Sequence, residues 1–519
     1  MNDDGQADTS QIGRRAFIGM AAGAGIGAMG SATTAQLPVR VPAPCLLDAV
    51  SLSAAIHARR LSCVEVMTAY LDHIARVNPT FNAIVALQDP EALLAQAHER
   101  DAQLSQGHSL GVLHGFPHAV KDLEWVKGMR STSGSPIFKD FVPTEDGLMV
   151  GRLRDAGAIF IGKTNAPEFG IGSSTYNPVY GITRNAYNPA VSAGGSSGGA
   201  ACALALRMVP VADGSDHGGS LRNPAGWNNV YGFRTSFGCI PSSEEDAWLN
   251  PNSVLGPMAR NTADLALLLS VQAGFSPRVP FSSREPASRF LHRLERDFKG
   301  TRIAWCGDFG GHAPCEPEVL DVCETALRTF EALGCVVEKA TPDFSVDAIW
   351  RACLTLRAWE TGGGLADLYK DPAQRALLKP EAVYEIEAAL RLSALDVTAA
   401  SLVRTQWSQA MHRLLRRFDY VVAPSAQLFP FAAEQHWPQS VDGRPMGSYH
   451  EWMKLVFLIT MSGCPALAVP AGFNAHGLSM GLQIVAPINA DMACLQLAHA
   501  YGLASGHERR LPPLLASAH

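Results

Sequence analysis

The chain has 519 residues, 47% hydrophobic and 17% charged, with a formal net charge of −6. That balance suits a well-cored globular enzyme and excludes a disordered chain; with no basic run longer than two or three residues, nucleic acid is excluded as a partner. The 11 cysteines are scattered without a Cys-x-x-Cys, and no His-Glu-x-x-His occurs, so neither a metal site nor a cofactor is expected. Cys306, Cys315 and Cys323, the densest group, read as apolar packing.

The first 35 residues stand apart. Arg14-Arg15-Ala16-Phe17-Ile18 leads into an apolar, Gly/Ala-rich run from Ile18 to Met29, followed by small residues to Ala35. A charged start, a short apolar core and a small-residue exit make an export signal, and the arginine pair resembles the twin-arginine type. The apolar run is too short for a comfortable membrane span. Residues 1–35 are therefore expected to be a removable signal, and residues 36–519 a periplasmic or secreted domain with no stable span after processing. Gly25-x-Gly27-x-x-Gly30 matches a dinucleotide fingerprint by letter, but no strand precedes it and it is discarded.

Ser62-Cys-Val-Glu65 is a capping box. It opens a helix in which Val66, Tyr70, Ile74 and Val77 recur at helical spacing until Asn78-Pro79, where the helix is expected to stop. A helix from about Val150 ends at Gly157, and Ala158–Ile161 follows as a strand. A similar unit runs from strand Arg302–Trp305 through helix Pro317–Leu333, with Val319, Val322, Ala326, Phe330 and Leu333 as its buried stripe, to a strand at Cys335–Val337. This alternation predicts an α/β fold, one large domain with a central mixed sheet covered by helices on both faces. Residues 343–417 read as mostly helical and without chemistry. Residues 424–449 read as a loop carrying Phe429, Phe431, Trp437 and Tyr449, which either edge a substrate pocket or anchor the loop.

The densest chemistry lies between. Gly194-Gly-Ser-Ser-Gly-Gly199 and Gly214-Ser-Asp-His-Gly-Gly-Ser-Leu-Arg222 set Ser196 and Ser220 against glycine pairs, 24 positions apart. Glycine in that density costs backbone entropy and suits loops that aim N–H groups at an oxyanion beside a serine nucleophile. Gly195-Ser-Ser197-Gly-Gly199 also fits a nucleophile elbow, but a proline-containing loop, not an apolar strand, precedes it. Two lysines could serve as base once burial lowers their pKa. Lys121 ends Gly115-Phe-Pro-His-Ala-Val-Lys-Asp122; Lys163 lies in Gly162-Lys-Thr-Asn165. Spacing alone does not choose between them.

These segments, with Val77-Asn-Pro-Thr-Phe-Asn-Ala83, Gly256-Pro-Met-Ala-Arg260, Gly463-Cys-Pro-Ala466 and Gly477-Leu-Ser-Met-Gly-Leu-Gln-Ile484, resemble the amidase signature family of serine hydrolases over most of the mature chain. The resemblance implies a Ser–cis-Ser–Lys triad with Ser220 as nucleophile, Ser196 as bridging serine after a cis Gly195–Ser196 bond, and Lys121 as base. It implies an oxyanion hole from the backbone N–H groups of His217, Gly218 and Gly219, with Asp216 and Arg222 bracing the loop. The substrate implied is a small-molecule amide, with esters, ureas and carbamates open. A homodimer is also left open, as are an amidotransferase A-type subunit with partner chains and a silent binding protein. The chain departs from the family at Gly226-Trp-Asn-Asn-Val230, at His217, and at Gly232-Phe-Arg-Thr-Ser236, where Gly-Leu-Lys-Pro-Ser/Thr is usual; substrate preference is what these departures put in doubt.

Overall fold

The computed structural model describes residues 39–242 and 251–516. The segment read as an export signal lies outside the described residues. Two sheets carry the chemistry. A three-stranded sheet has the order β1-β3-β2, with β1 at Ile84–Val85, β2 at Pro117–Lys121 and β3 at Ile159–Thr164. Strands β2 and β3 run parallel, and β1 is antiparallel to β3.

The larger sheet takes β4 (Ala212–Asp216), β5 (Tyr231–Arg234), β6 (Val254–Ala259), β7 (Arg302–Trp305), β8 (Val336–Lys339), β9 (Tyr420–Pro424), β10 (Ala466–Phe473) and β11 (Ser479–Val485). Its order is β8-β7-β9-β11-β10-β5-β6-β4. The β8-β7-β9 end is parallel and every other pairing is antiparallel, so the sheet is mixed.

Every residue of β11 is buried, as are all but the last of β10. Strands covered on both faces need apolar or small residues throughout, which is why this part of the sequence lacks a polar–apolar alternation. Helices Arg222–Trp227, Pro317–Ala332 and Asp491–Ser505 pack on these two strands. The eleven cysteines are buried free thiols. Among the described residues no helix is long and apolar enough to cross a membrane.

The α/β class and mixed sheet agree with the sequence reading, and strand Arg302–Trp305 falls where it was expected. Three details differ. The helix opened by the Ser62 capping box continues through Pro79 to Phe81 and ends on Asn82 in the left-handed region. A proline this near the end removes only one intrahelical donor, and the Asn78 side chain takes over by accepting from Ala83 and Ile84 N–H, both at 2.9 Å. Strand β3 runs on past Ile161 to Thr164, which makes Lys163 a strand residue. Finally, the helical segment 343–417 sends Arg357 and Glu360 toward His217 of the second glycine loop, as described below.

Candidate active site

Register decides which lysine faces the serines. In the β2/β3 ladder Val120 pairs with Lys163, and Lys121 with Thr164. Paired residues share a sheet face and successive residues alternate, so Lys121 and Lys163 point to opposite faces. Lys163 Nζ donates to the Glu124 carbonyl and to Ser131 Oγ at 3.2 Å, away from either glycine loop. Asp122 also turns away, accepting from Thr132 N–H at 3.1 Å and from the Thr132 hydroxyl.

Lys121 is fully buried at the end of β2, where its N–H donates to Asp213 Oδ2 of β4 at 3.1 Å and so ties the two sheets together. The other Asp213 oxygen lies 2.8 Å from His118 Nε2. Lys121 Nζ lies 2.8 Å from Ser196 Oγ, 2.9 Å from Ser197 Oγ and 2.9 Å from Ser215 Oγ. Burial, opposed by the carboxylates of Glu124, Asp213 and Asp216, brings its pKa from 10.5 down to about 7. A neutral amine has two N–H groups and one lone pair. Either protonation state can bond all three hydroxyls: an ammonium donates to all three, a neutral amine donates to two and accepts from one.

The second loop begins where β4 ends. Asp216 is fully buried and organises it. Its Oδ1 accepts from Gly219 N–H at 2.9 Å and its Oδ2 from Leu221 N–H at 3.1 Å. Arg222 grips both oxygens, through Nη2 at 2.9 Å and Nε at 3.0 Å, and Arg234 reaches the carboxylate at 3.3 Å and the Asp216 carbonyl. Burial alone would raise this carboxyl, but the two guanidinium groups and the loop N–H donors outweigh it and hold it well below the usual carboxylate range. Arg222 also donates to the Val456 carbonyl at 3.0 Å and the Thr460 hydroxyl at 2.8 Å, which anchors the loop to helix Lys454–Ser462. Neither Asp216 nor Arg222 opens to solvent.

Glycine is required at 218 and 219. A Cβ on Gly218 would fall 2.2 Å from Phe457 Cζ, and one on Gly219, whose φ is +100°, would fall 2.5 Å from Val456 Cγ2. Gly219 N–H, expected in an oxyanion hole, here donates to Asp216 Oδ1 at 2.9 Å. The N–H groups of His217 and Gly218 have no protein acceptor among the described residues. The His217 ring lies edge-on to Phe457 and 3.7 Å from Glu360, and burial with Arg357 and Arg234 nearby holds its pKa well below 6.5.

The two loops meet. The Gly195–Ser196 peptide is cis, and Ser197 N–H donates to the Ser220 carbonyl at 3.1 Å. Ser220 is 8% exposed, Ser196 2% and Ser197 none at all. The elbow reading of Ser197 therefore meets a hydroxyl sealed beneath Lys121 and handed on to the Ser215 carbonyl, while Ser220 is more exposed than either Ser196 or Ser197.

Three features had not been read from sequence. Ser197 and Ser215 complete the hydroxyl set on Lys121; the only signal for Ser215 was its place at the end of a Gly-Ser-Asp strand. Arg234, in the slot where lysine is usual, holds Asp216. Trp227, the large residue in a normally small-residue stretch, stacks on Trp452 at 5.9 Å and meets Phe431 edge-on at 5.7 Å. Phe431, part of the 424–449 loop, thus anchors that loop to the helix after Ser220, while Trp437 and Tyr449 edge a small cavity.

The family model described as Amidase matches residues 65–495. An acylamidase of Rhodococcus erythropolis is 34% identical over 457 residues, covering 87% of this chain and 94% of that one. The A-type component of a glutamyl-tRNA(Gln) amidotransferase from Thermosynechococcus vestitus is 32% identical over 479 residues, covering 87% and 97%. Among solved structures, a bacterial aryl acylamidase of the amidase signature family superposes with a TM-score of 0.84 at 28% identity, covering 91% of this chain and 98% of that one. A match over this much of the chain is what the buried lysine and the two glycine loops lead to: the protein belongs to the amidase family, serine hydrolases of amide C–N bonds.

Proposed function

We propose that the chain hydrolyses a small-molecule carboxamide through an acyl-enzyme on Ser220, with Lys121 as base and Ser196 as proton bridge. The observation that carries this reading is a fully buried lysine, brought to about 7, whose Nζ lies 2.8 Å from Ser196 Oγ. Neutral Lys121 takes the Ser196 proton as Ser196 takes that of Ser220, and Ser220 Oγ adds to the carbonyl carbon. The backbone N–H groups of His217 and Gly218 receive the oxyanion, a contribution worth about 3–4 kcal/mol per donor. The proton returns along the same path to the leaving nitrogen, because an amine anion is a poor leaving group. Water then repeats the sequence on the acyl-enzyme, releasing the acid and restoring Ser220.

Likeness to an amidotransferase component keeps a second reading in play, a chain that needs partners. The purified protein alone is expected to turn over at least one member of a panel of aliphatic, aryl and amino-acid amides. Turnover of none until a partner is added would favour the amidotransferase reading. We also propose that the enzyme is exported, on the strength of Arg14-Arg15 and the apolar run behind them. Replacing both arginines by lysine is expected to trap the precursor in the cytoplasm; normal export of that variant would sink the twin-arginine assignment.

A further inference from the structure

Beside the catalytic segment lies a cavity of about 10 Å³, edged by Tyr176, Glu381, His436, Trp437, Tyr449 and Trp452. That is room for about one water-sized group. Two residues of its lining carry a buried polar atom without a hydrogen-bond partner among the described residues: the acceptor Glu381 Oε2 and the donor Trp452 Nε1. Their residues are 8% and 2% exposed. An orphaned buried carboxylate oxygen is costly, and the other oxygen of Glu381 is already engaged, accepting from the Tyr176 hydroxyl at 2.9 Å.

The cavity belongs to the neighbourhood of the reaction. Its Ser173–Ser174 wall lies directly on the cis peptide segment: a Cβ on Gly195 would fall 3.0 Å from Ser174 N. Trp452, another of its walls, stacks on Trp227 from the helix that follows Ser220. The cavity thus lies beside the Gly195–Ser196 segment.

The chemistry of the two orphans restricts what fits. The occupant must donate to a carboxylate and accept from an indole N–H, in the space of one heavy atom. An ammonium group can donate but cannot accept. It would also approach Lys379, whose Nζ sits 5.3 Å from the centre of the Tyr176 ring. A methyl or ether tip lacks the donor. A hydroxyl satisfies both atoms.

We propose that this cavity receives a terminal hydroxyl of the substrate, making Glu381 and Trp452 specificity-determining residues for hydroxylated amides. The inference rests on the amidase reading above and narrows its substrate class. A charge-assisted hydrogen bond to Glu381 replaces one made to water, so discrimination of about 10-fold or more against a tip without the donor is expected.

The test uses the full-length enzyme and straight-chain amides of graded length whose far tip is hydroxyl, methoxy or methyl. A matching set of N-alkyl acetamides places the same tips on the leaving side. At the best length the wild-type enzyme is expected to prefer hydroxyl over methoxy by about 10-fold in kcat/KM. In Glu381→Gln, which keeps an oxygen for Tyr176 but can donate to an ether, that ratio should fall to within about twofold of unity. Trp452→Phe should lower the hydroxyl-to-methyl ratio in the same direction. Equal kcat/KM for all three tips in the wild-type enzyme, at every length and on both sides, overturns the proposal even if a variant fails to fold. An unchanged hydroxyl-to-methoxy ratio in a folded Glu381→Gln enzyme also overturns it. Failure to turn over any amide, methyl-tipped ones included, would count against the hydrolase reading itself.

Discussion

Ser220→Ala is expected to abolish amide turnover, by at least about 10⁴-fold, and to prevent covalent labelling by a fluorophosphonate probe. The physical reason is accessibility joined to activation. Ser220 is more exposed than Ser196 and Ser197, and its backbone carbonyl is held against Ser197 N–H, beside the Lys121–Ser196 pair. Its loop is built by groups other than its own hydroxyl: Asp216 holds Gly219 and Leu221, and Arg222 holds Asp216. Losing the hydroxyl should therefore leave the melting temperature nearly unchanged. Ser197→Ala is the control. Its hydroxyl is sealed under Lys121, so the variant is expected to label normally and to change the pH profile more than the labelling yield. Full labelling of Ser220→Ala together with loss in Ser197→Ala would return the nucleophile to the elbow serine.

The second large effect concerns Lys121. Only its neutral form can accept the proton, so kcat/KM for an amide is expected to rise with pH through about 7 and level off above it. Each unit below that pKa should cost about tenfold. Stability should also rise with pH across the same region. The unfolded chain keeps this lysine protonated up to about 10.4, whereas the folded one releases the proton near 7, so between those values the unfolded state binds more protons and folding is favoured as pH increases. Lys121→Ala is expected to cost about 10²–10⁴-fold on an amide, and less on an activated ester, whose leaving group hardly needs the returned proton. Lys163→Ala removes a buried tie to Glu124 and Ser131 and should lower the melting temperature while leaving the pH dependence of the rate in place. Loss of the ionisation near 7 in the Lys163 variant, with its retention in the Lys121 variant, would reverse the assignment of the base.

Local chemistry made part of this protein legible before any coordinates. Glycine pairs beside Ser196 and Ser220 announce close backbone approach, since a side chain at 218 or 219 would strike Phe457 or Val456. The capping box at Ser62 and the helix–strand alternation around 302–337 are written in residues within a turn or two of each other, so they survive in the folded chain. Composition and charge set the class of molecule in the same way.

What depends on register and on long-range packing was not legible. Lys121 is the last and Lys163 the next-to-last residue of similar apolar strands, and local sequence treats them alike; the β2/β3 pairing alone puts them on opposite faces. Ser215, Arg234 and Glu381 look like ordinary polar residues in their own segments. They acquire their contacts only in the folded chain: Ser215 meets Lys121, Arg234 from another strand of the same sheet meets Asp216, and Glu381 from a helix far downstream meets Tyr176. The physical reason is that helix caps, turns and close glycine contacts are decided by neighbours along the chain, whereas desolvation is decided by what the folded chain brings together in space. The residues able to form a triad could thus be named from sequence, but the burial that makes Lys121 a base near neutral pH exists only in the tertiary structure.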